Sequence, residues 1–120
     1  MAKILIADDS DTDLAYLQEV LNDLPHQVVS VCDGSAVEEQ VVKESFDLFI
    51  LDVIMPGKNG FQICRGLKKN PATANVPVIL TTSKSADSDK FWGQKQGADA
   101  YITKPYTPEQ LLAAVKSYLN

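Results

Sequence analysis

The chain has 120 residues, 45% of them hydrophobic, which fits one globular core and leaves nothing for a second domain of ordinary size. A formal charge of −5 and a pI near 4.7 argue against a nucleic-acid partner, because phosphate binding needs a basic field. No apolar run reaches the roughly 20 residues that span a bilayer, and the first one breaks at Asp8-Asp9, too early for a signal peptide; the expectation is cytoplasmic residence without membrane attachment.

Ile4-Leu5-Ile6-Ala7 is a short continuous apolar run, the mark of a strand buried on both faces. Leu14, Leu17, Leu21 and Leu24 follow at helical spacing, with Pro25 closing the segment and Asp9 or Asp11 placed to cap its start. Val28-Val29-Ser30-Val31 is a weaker strand candidate. Ser35 and Glu38 have capping-box spacing and predict a second helix with Val37, Val41 and Val42 inward. Leu48-Phe49-Ile50-Leu51 is the next buried strand, and Met55-Pro56-Gly57 a tight turn after it. Phe61, Cys64 and Leu67 mark a third helix, stopped near Asn70-Pro71. Val78-Ile79-Leu80 predicts a strand, and a fourth helix runs from about Asp87 to Gln96, with Gly97 suited to its left-handed end. Tyr101-Ile102 is a short strand. Thr107, Pro108 and Gln110 open the last helix, whose apolar positions are Leu111, Leu112, Val115 and Leu119.

Strand and helix thus alternate about five times over residues 1–120, the pattern of a single α/β domain with a doubly wound parallel sheet. Ligands of such sheets sit beyond the carboxyl ends of the strands, where the strand order reverses. Asp8-Asp9, Asp52, Thr81-Thr82 and Thr103-Lys104-Pro105 all fall at predicted strand ends. Carboxylates gathered there repel one another unless a cation intervenes, and a hard divalent ion such as Mg²⁺ suits oxygen ligands. One carboxylate can then act as nucleophile toward a phosphoryl donor, with Lys104 and Thr82 meeting the transferred group.

The motifs Ile6-Ala7-Asp8-Asp9-Ser10, Leu51-Asp52-Val53-Ile54-Met55-Pro56-Gly57 with Gly60-Phe61, Leu80-Thr81-Thr82 and Tyr101-Ile102-Thr103-Lys104-Pro105 resemble the receiver domain of bacterial response regulators, of the stand-alone kind seen in chemotaxis. The resemblance covers essentially the whole chain. It implies a flavodoxin-like receiver fold: five parallel strands in the order 2-1-3-4-5, flanked by five helices. It also implies a two-component signalling switch rather than an enzyme with a substrate of its own. A sensor histidine kinase would supply the phosphoryl group, and a downstream motility or signalling protein would read the face of helix 4, strand 5 and helix 5. By the same resemblance Asp52 would accept the phosphoryl group, and Asp9 would bind Mg²⁺ directly. Asp8 would act mainly through water, and Ile54 would offer its backbone carbonyl to the ion. Lys104 would pair with the phosphoryl group, and Thr82 and Tyr101 would form the switch pair. Asp89-Lys90-Phe91-Trp92-Gly93 with Gln96-Gly97-Ala98 looks like single-domain regulators of type IV pilus twitching motility.

Trp92 reads either as a partner anchor exposed on helix 4 or as an aromatic packed on the core beside Phe91. His26 reads as a solvated loop residue, Met55 as a space-filler, and Lys3 and Lys68-Lys69 as scattered charges. Cys32 and Cys64 read as reduced core residues. Two rivals are a degenerate receiver used only for docking, which would have lost one of the motif residues, and a Mg²⁺-dependent phosphohydrolase. The latter wants a second Asp shortly after the nucleophile, where Val53 and Ile54 stand.

Overall fold

In the computed structural model, which describes residues 1–84 and 86–119, the apolar runs form strands β1 (Lys3–Ala7), β2 (Gln27–Val31), β3 (Leu48–Asp52), β4 (Val78–Thr82) and β5 (Ala100–Thr103). The helices are α1 (Asp11–Leu21), α2 (Gly34–Lys43), α3 (Gly60–Lys69), α4 (Asp87–Lys95) and α5 (Pro108–Tyr118). All strand pairings are parallel, in the order β2-β1-β3-β4-β5.

Side chains alternate across a strand, and in the central strands both sets are apolar. Ile4 and Ile6 of β1, Leu48 and Ile50 of β3 and Ile79 of β4 pack with Leu17 and Leu21 of α1 and with Leu111 and Val115 of α5. Leu5 and Ala7, Phe49 and Leu51, and Val78 and Leu80 pack on the opposite face with Val37 of α2 and with Phe61, Cys64 and Leu67 of α3. Each fully buried Leu, Ile or Phe contributes roughly 1.5–3 kcal/mol relative to exposure, so these two half-cores hold the sheet between its helical layers. Truncating Phe49, which is fully buried, to Ala would cost about 3–5 kcal/mol.

The helix starts are chemically defined. Thr107 and Gln110 form the expected capping box, and Asn59 and Gln62 form a second one opening α3. At α1 the cap is Ser10, whose hydroxyl accepts from the Asp13 N–H, and not Asp9 or Asp11. At α2 the Ser35–Glu38 box does not form. Asp33 is the cap, accepting from the N–H of Ala36 and the hydroxyl of Ser35, while Glu38 pairs with Lys58. Asp33, two residues before Ser35, has the extended backbone of an N-cap and accepts the Ala36 N–H, and the Ser35 hydroxyl is spent as a donor to the same carboxylate.

Other expectations also change. Val42 is 88% exposed, because Val37 and Val41 already occupy the inward stripe and an adjacent residue points some 100° away. Cys64 is buried, but Cys32, just past the end of edge strand β2, is exposed. His26 is half-buried and accepts the Ala2 N–H at Nδ1. Phe91 and Trp92 are 58% and 52% exposed, which rules out the core-packed reading of Trp92. Met55 is buried, as a space-filler should be. No helix among the described residues is long and apolar enough to cross a membrane.

Candidate functional site

Strand parity assembles the site. Asp8 continues the β1 series Ile4, Ile6; Asp52 continues the β3 series Leu48, Ile50; Lys104 continues the β5 series Ala100, Ile102. All three therefore leave the carboxyl edge of the sheet on the face covered by α1 and α5. Thr82 follows Leu80, and Tyr101 packs with the opposite half-core, so these two belong to the face covered by α3 and α4.

The Asp8 carboxylate is buried. Its Oδ1 accepts the Ser10 N–H at 3.0 Å, and its Oδ2 accepts from Lys104 Nζ at 2.9 Å. Lys104 Nζ also donates to Asp13 Oδ2 at 2.8 Å and lies 3.7 Å from Asp52 Oδ1. Asp52 is 5% exposed, whereas Asp9 is open to solvent. One carboxylate oxygen from each of Asp8, Asp9 and Asp52 falls within 4.8 Å of the others.

Charge is out of balance at this edge. Burial, then repulsion from Asp8, pushes the Asp52 carboxyl up to about 6; Lys104 opposes this, Asp9 adds to it, and the Ile54 N–H offsets a little. Burial disfavours the Lys104 ammonium, but its hydrogen bonds to Asp13 and Asp8 and the Asp52 charge outweigh that and raise it above the ordinary lysine range. Among the described residues, Lys104 is the one cation within 4.0 Å of Asp8, Asp13 and Asp52, and Asp9 adds a fourth carboxylate to the group. An all-oxygen donor set with surplus negative charge fits a hard divalent cation.

The opposite face carries a linkage around one backbone residue. Thr82 is fully buried, and its Oγ1 accepts the Lys84 N–H at 3.2 Å. The Tyr101 hydroxyl donates to the Lys84 carbonyl at 2.8 Å. The Tyr101 ring stacks on Phe61 with centroids 6.5 Å apart, and burial pushes its hydroxyl up to about 12. Helix α4 meets the ring at Gly93, where an added Cβ would stand 2.9 Å from Tyr101 Cδ1. Ile54 is half exposed beside the site.

The structure thus brings Asp8, Asp9, Asp52 and Lys104 together, with Thr82 and Tyr101 joined through Lys84 on the other face. Sequence reasoning missed Asp13. Its only signal is its place three residues after the Ser10 cap, an ordinary site for an acid in a first helical turn.

A five-stranded sheet of this order, with acids and a lysine meeting at its carboxyl edge, defines a receiver domain. The chain belongs to that family: residues 4–116 match the response regulator receiver domain. Over 119 residues it is 41% identical to Protein PilH of Pseudomonas aeruginosa, covering 99% of this chain and 98% of that one. It is 34% identical to Response regulator PleD of Caulobacter vibrioides over 116 residues, 97% of this chain but 26% of PleD. The chemotaxis protein CheY4 of Vibrio cholerae superposes with a TM-score of 0.92 at 29% identity, over 99% of each chain. Membership of this flavodoxin-like family implies two-component phosphorylation signalling, with a phosphodonor kinase and a downstream partner in general terms, rather than turnover of a substrate.

Proposed function

We propose that residues 1–120 act as one receiver domain that takes a phosphoryl group on Asp52 and changes its partner-binding face in response. The observation that supports this best is the setting of Asp52: buried at the end of β3, 3.7 Å from Lys104 Nζ, with oxygens of Asp8 and Asp9 grouped within 4.8 Å.

In this reading an Asp52 carboxylate oxygen attacks phosphorus and the bond to the donor nitrogen of a kinase phosphohistidine breaks, the leaving imidazole keeping the electron pair. Asp9, Asp52 and the Ile54 carbonyl would hold Mg²⁺ directly, and Asp8 mainly through water. Both Asp8 oxygens already accept hydrogen bonds, from Ser10 and Lys104, which suits an indirect role. Bound Mg²⁺ supplies charge neutralisation for the transferred oxygens. Lys104 contributes a fixed ammonium at the same edge and the Thr82 hydroxyl a donor from the neighbouring strand.

The readout would run through Lys84. If Thr82 Oγ1 turns toward the phosphoryl group it gives up the Lys84 N–H, loosening the residue whose carbonyl holds the Tyr101 hydroxyl. The ring can then rotate inward beneath α4, reshaping the face of α4, β5 and α5. A sensor histidine kinase is the proposed donor, and a motility or signalling protein the proposed reader, both in the cytoplasm. Near-full-length likeness to PilH supports placement among the twitching-motility regulators.

Incubation with a radiolabelled small acyl phosphate and Mg²⁺ tests the assignment. The wild type should incorporate label and Asp52→Asn should not; undiminished labelling of the variant would contradict it.

A further inference from the structure

A groove of about 540 Å³ runs between α3 and α4, and its composition departs from the rest of the molecule. Arg65, Lys68 and Lys69 line it from α3, and Phe91, Trp92 and Lys95 from α4, with no carboxylate among the lining residues. The chain as a whole holds 16 acidic and 11 basic residues, so four cations facing one groove reverse the local sign. The lysines that looked scattered in sequence are gathered by the packing of α3 against α4. Cys64 donates to the Gln96 carbonyl at 3.5 Å, and Lys68 Cγ lies so near Gly97 that an added Cβ there would stand 2.9 Å away.

These cations are not equivalent. Lys68 Nζ is committed to the Val76 carbonyl at 2.8 Å and Asp99 Oδ2 at 2.9 Å, and so fixes the groove floor. Arg65, Lys69 and Lys95 have no carboxylate partner among the described residues; Lys95 rests 5.3 Å from the Phe91 ring centroid. Phe91 and Trp92 expose more than half their surface beside them. Exposed aromatics are costly in water and anchor interfaces when covered, while unpaired cations around them select the sign of what covers them.

We propose that the α3–α4 groove docks a short acidic segment of a partner protein, whose apolar side chain covers Trp92 while its carboxylates meet Arg65, Lys69 and Lys95. An extended polyanion such as RNA is disfavoured. A nucleic-acid backbone would find only these few cations on a chain whose net charge is −5. The groove lies apart from the carboxylate site, and docking does not require Asp52 to be phosphorylated.

The test uses the full chain with a photoreactive benzoylphenylalanine in place of Trp92, expressed in its native cells, and with Asp52 either intact or changed to Asn. Mass spectrometry of the crosslinked product identifies the captured segment. Support is an acidic segment, captured in both Asp52 backgrounds and reduced about tenfold by the exposed double reversal K69E/K95E. The same segment, synthesised and titrated against the wild type, should shift the emission of Trp92, the chain's lone tryptophan. Capture of nothing, a nucleic acid, a basic segment or a second copy of this chain overturns the proposal, as does capture indifferent to the double reversal. Loss of phosphate uptake in Asp52→Asn with docking retained separates this surface from the receiver chemistry.

Discussion

Lys104 is held more closely by Asp13 than by the residue it is expected to serve: its Nζ lies 2.8 Å from Asp13 Oδ2 and 3.7 Å from Asp52 Oδ1. Asp13 thus anchors the lysine on the α1 side of the pocket. In Asp13→Asn the neutral side chain keeps its shape but loses most of this pull. Labelling from a small acyl phosphate should quicken by about two- to fivefold, the scale of a partly exposed ion pair. A rate unchanged or lowered in stopped-flow measurements would show that Asp13 does not restrain the lysine.

The raised Asp52 carboxyl predicts how stability depends on pH. Between its ordinary value of 3.8 and about 6, the folded chain keeps a proton that the unfolded chain releases, so stability falls as pH rises through that window. Above it, the charged carboxylate costs the fold on the order of 2–3 kcal/mol. Asp52→Asn should melt higher than the wild type at pH 7.5 in the presence of a chelator, and the advantage should shrink toward pH 5. Thermal unfolding at several pH values measures it, and a gap that widens on acidification would contradict the assignment.

A divalent cation should offset part of that penalty. At Mg²⁺ concentrations about 10 times Kd, linkage adds roughly 1.4 kcal/mol to the folded state. Because Asp9 is exposed, Asp9→Asn should fold normally yet lose most of the Mg²⁺-induced rise in melting temperature. Equal rises in the two proteins would exclude Asp9 from the site.

Gly60 is the steric test of the loop that follows Asp52. A Cβ there would collide with the Asp52 carbonyl oxygen and stand 2.8 Å from Val53 Cα, both backbone atoms with nowhere to go. Gly60→Ala should cost about 2–4 kcal/mol in urea unfolding. If it is tolerated to within 0.5 kcal/mol or so, the close approach of α3 to the end of β3 is wrong.

Most of the fold was legible because β1, β3 and β4 are apolar on both faces, and Ile4-Leu5-Ile6-Ala7 has few other uses for such a run. The positions of Asp8, Asp9, Asp52 and Thr82 were legible because each closes one of those strands or stands within two residues of its end, and that of Lys104 because it follows β5 directly. Asp13 was not, since its partner depends on which helix covers the end of β5, a matter of sheet order rather than spacing. Ser35 and Glu38 misled because two caps competed within three residues and Asp33 was the better placed. The α3–α4 groove was invisible for a similar reason: Lys69 and Lys95 are 26 positions apart and meet only through tertiary packing.

Helix α4 is fastened differently from its neighbours. Among its residues only Gly93 is buried, and Ala86 at its start offers no side-chain hydrogen bond, whereas α3 and α5 begin with complete boxes. Amide deuterium uptake in α4 should therefore outpace that in α3 and α5, through brief openings that leave the sheet closed. On the proposed switch, a segment so lightly moored is what a turning phenol ring would have to displace.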